Sequence, residues 1–222
     1  MSNISRMLFW LGHAAFYIKG DGYTVFIDPF KIGPEVREKA DLILVTHAHS
    51  DHASRDDILR VMKPDAKVIC APGCFADGDF RNMEVIRPGG RSEFKTAGIS
   101  AVPAYNVVKE RLSAHPKSKN WVGYVVDMNG CRIYHAGDTD FIEEMKGMRG
   151  ISASLLPVGG TFTMDVDEAM SAARAIKAEF AVPMHYKMLL GKAGAAEAEE
   201  KFKKGLPNAL VMKEVQEPVY GF

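Results

Sequence analysis

Apolar and polar positions alternate in short runs through the first half of the chain, at Met7 to Leu11, Ala14 to Lys19, Tyr23 to Asp28, Leu42 to Thr46, Lys67 to Ala71 and Met83 to Ile86. These runs are rich in Val, Ile, Phe and Tyr, which suit a pleated, half-buried surface, and they predict strands. Gly20-Asp21-Gly22 between the second and third runs predicts a tight hairpin, because glycine reaches the positive φ that such turns need. An antiparallel meander is therefore expected to open the chain. After Asp51 the spacing turns helical, with Ile58, Leu59 and Met62 on one side of a short segment that Pro64 ends.

The second half repeats the theme. Strands are predicted at Ile99 to Ala104, Val122 to Met128, Cys131 to His135, Ser154 to Val158 and Phe180 to Met184, with helices between them. The clearest helix runs from Val166 to Lys177. Asp165 and Glu168 make a capping-box start, and Val166, Ala169, Met170, Ala173 and Ile176 form one apolar stripe. A last helix, around Ala195 to Lys204, carries Glu197/Lys201, Glu199/Lys203 and Glu200/Lys204 at i,i+4, the pattern of a solvated face. Groups of strands followed by helices, twice over, imply two β-layers packed face to face with helices outside. Asn106 to Asn120 is the longest polar loop candidate, and long loops in compact domains tend to carry function.

Composition narrows the class. Apolar residues make up 47% and charged residues 25% of 222, as in a soluble globular protein, and the length suits one domain over 1–222. Lys plus Arg and Asp plus Glu number 28 each, so no global positive field argues for nucleic acid as a partner. No stretch has the length of a membrane span, and the N-terminus does not read as a secretory signal. Three cysteines, Cys70, Cys74 and Cys131, read as reduced, small core residues of a cytoplasmic protein.

The chemistry concentrates in Thr46-His47-Ala48-His49-Ser50-Asp51-His52, directly after an apolar strand. Residues two apart at a strand end project to the same side, so His47 and His49 can reach one cation. Asp51 and His52 fall where the chain turns into a helix and can aim at a second. Three imidazoles and a carboxylate at this spacing would be costly to bury together unless a metal holds them. The donor set suits zinc, with manganese or iron as alternatives.

This H-x-H-x-D-H string resembles the signature of the metallo-β-lactamase superfamily. Further segments match the pattern of that family in the same order: Ile27-Asp28-Pro29, His115, Asp138 in Ala136-Gly137-Asp138-Thr139-Asp140, and His185 in Pro183-Met184-His185-Tyr186. Trp10-Leu11-Gly12-His13, Pro103-Ala104-Tyr105-Asn106 and Pro157-Val158-Gly159-Gly160-Thr161 resemble the compact branch that includes L-ascorbate-6-phosphate lactonase-like proteins. The resemblance implies an α+β, four-layer αββα sandwich with two mixed sheets. It also implies two divalent metal ions, one on His47, His49 and His115 and the other on Asp51, His52 and His185, with Asp138 bridging.

Three residues stand beside that set. His13 and His135 compete with His115 as ligands; His135, inside a strand, reads as packed or as supporting a ligand, and His13 either as lining the mouth of the site or as a hydrogen-bonded structural histidine. Asp28 reads as a carboxylate that orients the metal loop, and Gly159-Gly160 as a tight turn. Two clustered metals would make a hydroxide nucleophile at neutral pH, so the expected reaction is hydrolysis, with Asp51 orienting the nucleophile. The expected substrate is a small-molecule ester, lactone or phosphodiester. Lys109, Arg111, Lys117 and Lys119 read either as a solvated loop or as attracting an anionic substrate, with Tyr105, Asn106, Tyr186 and Lys187 as candidate contacts. A nuclease and a di-iron redox module are the alternative readings, and a homo-oligomer is left open.

Overall fold

The computed structural model describes residues 4–221. A short helix α1 (Ile4–Met7) leads into β1 (Leu8–Gly12), β2 (Ala15–Lys19), β3 (Thr24–Ile27), β4 (Ala40–Val45), α2 (Arg55–Val61), β5 (Met62–Cys70) and β6 (Met83–Val85). These six strands hydrogen-bond in chain order into a first sheet. The second sheet holds β7 (Arg91–Phe94), β8 (Ala97–Pro103), β9 (Val122–Met128), β10 (Cys131–His135), β11 (Ala153–Pro157) and β12 (Phe180–Met184), again each beside its neighbour. Helix α3 (Val166–Ile176) connects β11 to β12, and α4 (Lys187–Gly205) follows.

Both sheets are mixed, as expected. Strands β1 to β3 form the antiparallel meander and β3 to β6 run parallel; β7 to β10 are antiparallel and β10 to β12 parallel. At the predicted hairpin the Gly20 N–H donates to the Tyr23 carbonyl at 2.9 Å, and Gly22 takes φ 80°.

The period-2 pattern explains the layering. Leu8, Phe16, Ile18, Val25, Ile27, Leu42, Leu44 and Ile69 face inward from the first sheet and pack in one core with Ile99, Ala101, Tyr124, Val126 and Ile133 of the second. Their alternates, Leu11, Tyr17, Phe26, Ile43, Val45 and Val68, face outward and are covered by Ile58 and Val61 of α2. Helix α3 starts on the predicted capping box of Asp165 and Glu168 and packs Ala169, Ala173 and Ile176 into the core beside β11. Cys70 and Cys131 are buried and Cys74 half-buried, all three as free thiols. Among the described residues no helix is long and apolar enough to cross a membrane.

Three departures from expectation have physical causes. Pro64 does not merely stop α2; it lies inside β5, in the irregular stretch between the Ala40–Met62 and Leu42–Lys67 pairings, where its missing N–H breaks no ladder bond. Strand β7 is not announced by the apolar pattern, since only Phe94 of its four residues is apolar, and it is the edge strand. Helix α4 begins at Lys187, well before the predicted segment, and breaks at Gly191 (φ 64°, ψ −177°). Of its three expected surface pairs, Glu200–Lys204 forms at 2.6 Å; Lys201 reaches Asp167 instead, and Glu199 accepts from the Tyr186 hydroxyl.

Gly123 in β9 shows how closely the backbones approach beneath the site. A Cβ there would lie 2.6 Å from the His135 carbonyl oxygen and 2.7 Å from that of Ala136, neither of which can swing away. Gly123→Ala is expected to cost roughly 1–3 kcal/mol of stability through overpacking, read as a lowered urea midpoint with an unchanged slope.

Candidate metal centre

The predicted site residues converge at one end of the two sheets, where β1, β3, β4, β10 and β12 finish and hand the chain to His13, Asp28, His47, Asp138 and His185. His13, Asp28 and His185 take positive φ (48°, 46° and 56°), an uncommon conformation for residues with a side chain that turns the chain sharply at each strand end. The turns are tied together. The His13 carbonyl accepts from the His185 N–H at 3.0 Å and from the Trp10 indole at 3.0 Å.

Ligand atoms of His47, His49 and His115 lie within 4.8 Å of one another, as do those of His13, Asp51, His52 and His185, and those of His47, His52 and Asp138. Asp138 stands between the groups. Its carboxylate oxygens lie 3.4 Å from His52 Nε2, 3.3 Å from His115 Nε2, 3.1 Å from His185 Nε2 and 3.9 Å from His47 Nε2. Despite these distances, the buried Nε2 atoms of His52, His115 and His185 and Oδ1 of Asp138 lack the alignment of a hydrogen bond. Each such buried orphan costs about 1–3 kcal/mol. Cations shared among them would remove that cost, so the donor set fits a metal centre.

The outer nitrogens decide which way the lone pairs point. His52 Nδ1 faces Asp28 Oδ2 at 2.7 Å, and His115 Nδ1 faces Asn106 Oδ1 at 2.9 Å and the Phe162 carbonyl at 3.2 Å. Those partners only accept, so Nδ1 carries the proton and Nε2 turns its lone pair inward. His47 follows by relay. The Thr46 hydroxyl donates to Asp28 at 2.6 Å and therefore accepts from His47 Nδ1 at 2.9 Å. His135 is different: its Nε2 donates to the Ala14 carbonyl at 2.8 Å while its Nδ1 accepts from the Gly137 N–H at 3.1 Å. With both nitrogens engaged it is a packed histidine, as its strand position predicted.

Burial works against charge throughout the cluster. For Asp138 it is outweighed by His185 and His52, which hold the carboxyl well below the usual range, and for Asp51 by His52, His13 and His185. Reciprocally, Asp138, Asp28 and Asp51 overcome burial and raise His52 well above its ordinary value, and Asp138 pushes His185 up to about 9. Burial and His52 keep His47 well below its ordinary value, and burial with His185 pushes His13 down to about 4. Protons on His52 and His185 and a bound divalent cation are alternative ways of balancing the same buried carboxylates.

Comparison with known proteins agrees with this geometry. The beta-lactamase superfamily domain model matches residues 7–185. A UPF0173 metal-dependent hydrolase of Thermoplasma volcanium is 38% identical over 198 residues, covering 81% of this chain and 82% of the relative. This chain belongs to the UPF0173 metal-dependent hydrolase family of the metallo-β-lactamase superfamily. A crystal structure from Parabacteroides distasonis superposes with TM-score 0.78 at 29% identity, over 93% of this chain and 92% of that one. Igni18, a metallo hydrolase from Ignicoccus hospitalis, gives 0.73 at 28%, over 95% of each. The fold of this UPF0173 member is the metallo-β-lactamase sandwich.

Over the cluster lies a cleft of about 390 Å³, walled by Phe30, Ser50, Ala114 and Phe162. His13 reaches this region from below: its Nε2 is 2.9 Å from Asp51 Oδ2 and its ring 3.8 Å from that of His185, so it supports the site rather than the mouth. His115, expected in a polar loop, is only 1% exposed. The loop is rigid because Asp140 accepts from the N–H groups of Val107 and Val108 and from Asn106, and pairs with Arg111 at 2.9 Å.

The candidate contacts Tyr105, Asn106, Tyr186 and Lys187 lie outside the cleft lining, Lys187 pairs with Glu214 at 2.9 Å, and Asn106 supports His115 from outside. Tyr186 is fully buried, stacked on Trp10 and bonded to Glu199. Tyr105 bonds Glu144 and Lys117, and Asn106 is spent on His115, Asp140 and the Phe162 carbonyl. Arg111 is likewise withdrawn, forked onto Glu168. Sequence reasoning missed Asp140, which sits two residues after a named ligand, and Trp121, whose ring stands 5.0 Å from His47 and 4.9 Å from His49. Gly159-Gly160 is the predicted turn, with Gly160 at φ 77°; a Cβ on Gly159 would strike the His185 carbonyl at 2.5 Å.

Asp28→Asn keeps the shape but puts an NH2 donor in place of one oxygen, so that it cannot accept from the Thr46 N–H, the Thr46 hydroxyl and His52 Nδ1 as the carboxylate does, and is expected to weaken metal binding by about 10- to 100-fold in chelator competition. His135→Gln is expected to lower stability and leave the metal affinity of the folded protein unchanged.

Proposed function

We propose that this chain hydrolyses a small-molecule ester, lactone or phosphodiester with two divalent cations. His47, His49 and His115 would hold one, Asp51, His52 and His185 the other, and Asp138 would serve both. The observation that carries the reading is the inward turn of Nε2 on His47, His52 and His115, fixed from outside by Thr46, Asp28 and Asn106 around one central carboxylate. Zinc suits this imidazole-rich set best, with manganese and iron(II) as alternatives. Bound there, such cations lower the pKa of water toward about 7 and polarise a carbonyl or phosphoryl oxygen.

The chain itself supplies orientation. Asp51 is the more exposed of the two central carboxylates, its side chain 20% accessible against 3% for Asp138, and it lines the cleft. His13 holds Asp51 Oδ2, leaving the other oxygen to accept a hydrogen bond from the attacking water and aim it at the reacting centre. Asp138, buried under that point, keeps the surrounding imidazoles in register. The Trp10-Leu11-Gly12-His13 and Pro157-Val158-Gly159-Gly160-Thr161 strings support lactones as the first substrates to try. Three free thiols support a reducing, cytoplasmic setting.

Elemental analysis of the purified protein is expected to give about two metals per chain. Asp138→Ala is expected to lose metal and hydrolysis together, whereas Asp51→Asn should lower kcat by about 100-fold or more. Protein that cannot be loaded with metal, or hydrolysis indifferent to Asp138→Ala, would contradict the proposal.

A further inference from the structure

Resting on the hydrolase reading, we propose that the cleft takes an uncharged ester or lactone bearing an apolar or aryl group, and that Phe30 and Phe162 select it. Every charged group lining the cleft belongs to its floor, where His49, Asp51, His115, Asp138 and His185 are the proposed metal-holding residues. Above that floor the walls are Phe30, Ala114 and Phe162, with Ser50 as the sole polar member.

The loop cations that suggested an anionic substrate are elsewhere. Arg111 is committed to Asp140 and Glu168, and Lys117 lies over the Tyr105 ring at 4.3 Å and beside Glu144. Lys109 and Lys119 are exposed and outside the lining. Lys31 approaches Phe30 at 5.6 Å but borders a separate, smaller crevice. A carboxylate or phosphate placed against the cleft walls would lose hydration with no Lys or Arg side chain in the lining to replace it.

Phe162 adds an independent argument. It is 46% exposed, yet its backbone is pinned, because its carbonyl accepts from Asn106 Nδ2 at 3.0 Å and from His115 Nδ1 at 3.2 Å. The same bonds that set the His115 tautomer thus hold an uncovered aromatic ring at the cleft wall. Unlike Leu59 or Val85, which are equally exposed, Phe162 lines the cleft that contains the proposed metal-holding residues, where a ligand would cover it.

In the reaction, the water oxygen bonds to the acyl carbon and the carbon–oxygen bond to the alcohol breaks, its electron pair leaving on the alcohol oxygen. One water proton ends on the alcohol and the other is released from the acid product.

The test uses metal-loaded full-length protein and a set of γ-lactones that differ only in a remote substituent: phenyl, phenyl carboxylate or phenyl phosphate. The phenyl lactone is expected to have a kcat/KM at least about tenfold above either charged analogue. Phe162→Ala and Phe30→Ala are each expected to raise its KM by about tenfold with little change in kcat, and so to narrow its advantage over the charged analogues. A second readout is free of turnover: saturation-transfer NMR of the matching phenyl cyclic ether should show contact with the wild type that Phe162→Ala loses. Equal or better kcat/KM for a charged analogue, or ether binding indifferent to Phe162→Ala, would overturn the cleft assignment. Ether binding lost in Phe162→Ala with no hydrolysis of any lactone would uphold the cleft and sink the hydrolase reading.

Discussion

Asp28 is fully buried at the end of β3 and accepts from the Thr46 N–H at 2.8 Å, the Thr46 hydroxyl at 2.6 Å and His52 Nδ1 at 2.7 Å. A carboxylate in that setting is tolerable only while all three donors stay in place. Through Thr46 it governs His47, and directly it governs His52, so one residue sets the orientation of a nitrogen in each of the two groups of metal-facing atoms. The second sheet answers with its own anchor. Asp140 gathers the 106–120 loop so that Asn106 and the Phe162 carbonyl can hold His115 in the matching tautomer.

Much of this was legible in the sequence because it is periodic or local. The alternation in β1 to β4 and the Asp165/Glu168 cap are short-range signals, and the His47-to-His52 string compresses four metal-seeking groups into six residues. Membership of a family supplied the distant partners Asp138 and His185, which no periodicity could connect. What escaped depends on contacts between chain segments far apart. Tyr186 sits next to a proposed ligand in sequence but points into the protein toward Trp10 and Glu199, because the chain turns at His185 (φ 56°) after β12 has ended. Arg111 reads as an exposed cation until Asp140 and Glu168, 29 and 57 positions later, are brought beside it. Strand β7 is nearly invisible because it has four residues, of which only Phe94 is apolar, and none is fully buried.

The ion pair of Arg111 with Glu168 also joins two features that looked independent. Glu168 caps the start of α3 and fork-binds Arg111, so the helix terminus and the loop that delivers His115 share one carboxylate. The loop that carries His115 is thereby made part of the scaffold, which suits a site whose proposed ligands come from the ends of three strands, β4, β10 and β12, and from this loop.

The positive-φ residues His13, Asp28 and His185 bear on how the protein balances robustness against purpose. Backbone held in such conformations costs on the order of 1–3 kcal/mol per residue, and three such positions surround one cluster. The tightly layered β-structure therefore subsidises a region that would, left to itself, relax. Stabilising mutations found by random selection should be scarce at these three turns if activity is retained, and common there if it is not. The three turns act as a stored tension at the strand ends, and the metal-facing geometry is what that tension shapes.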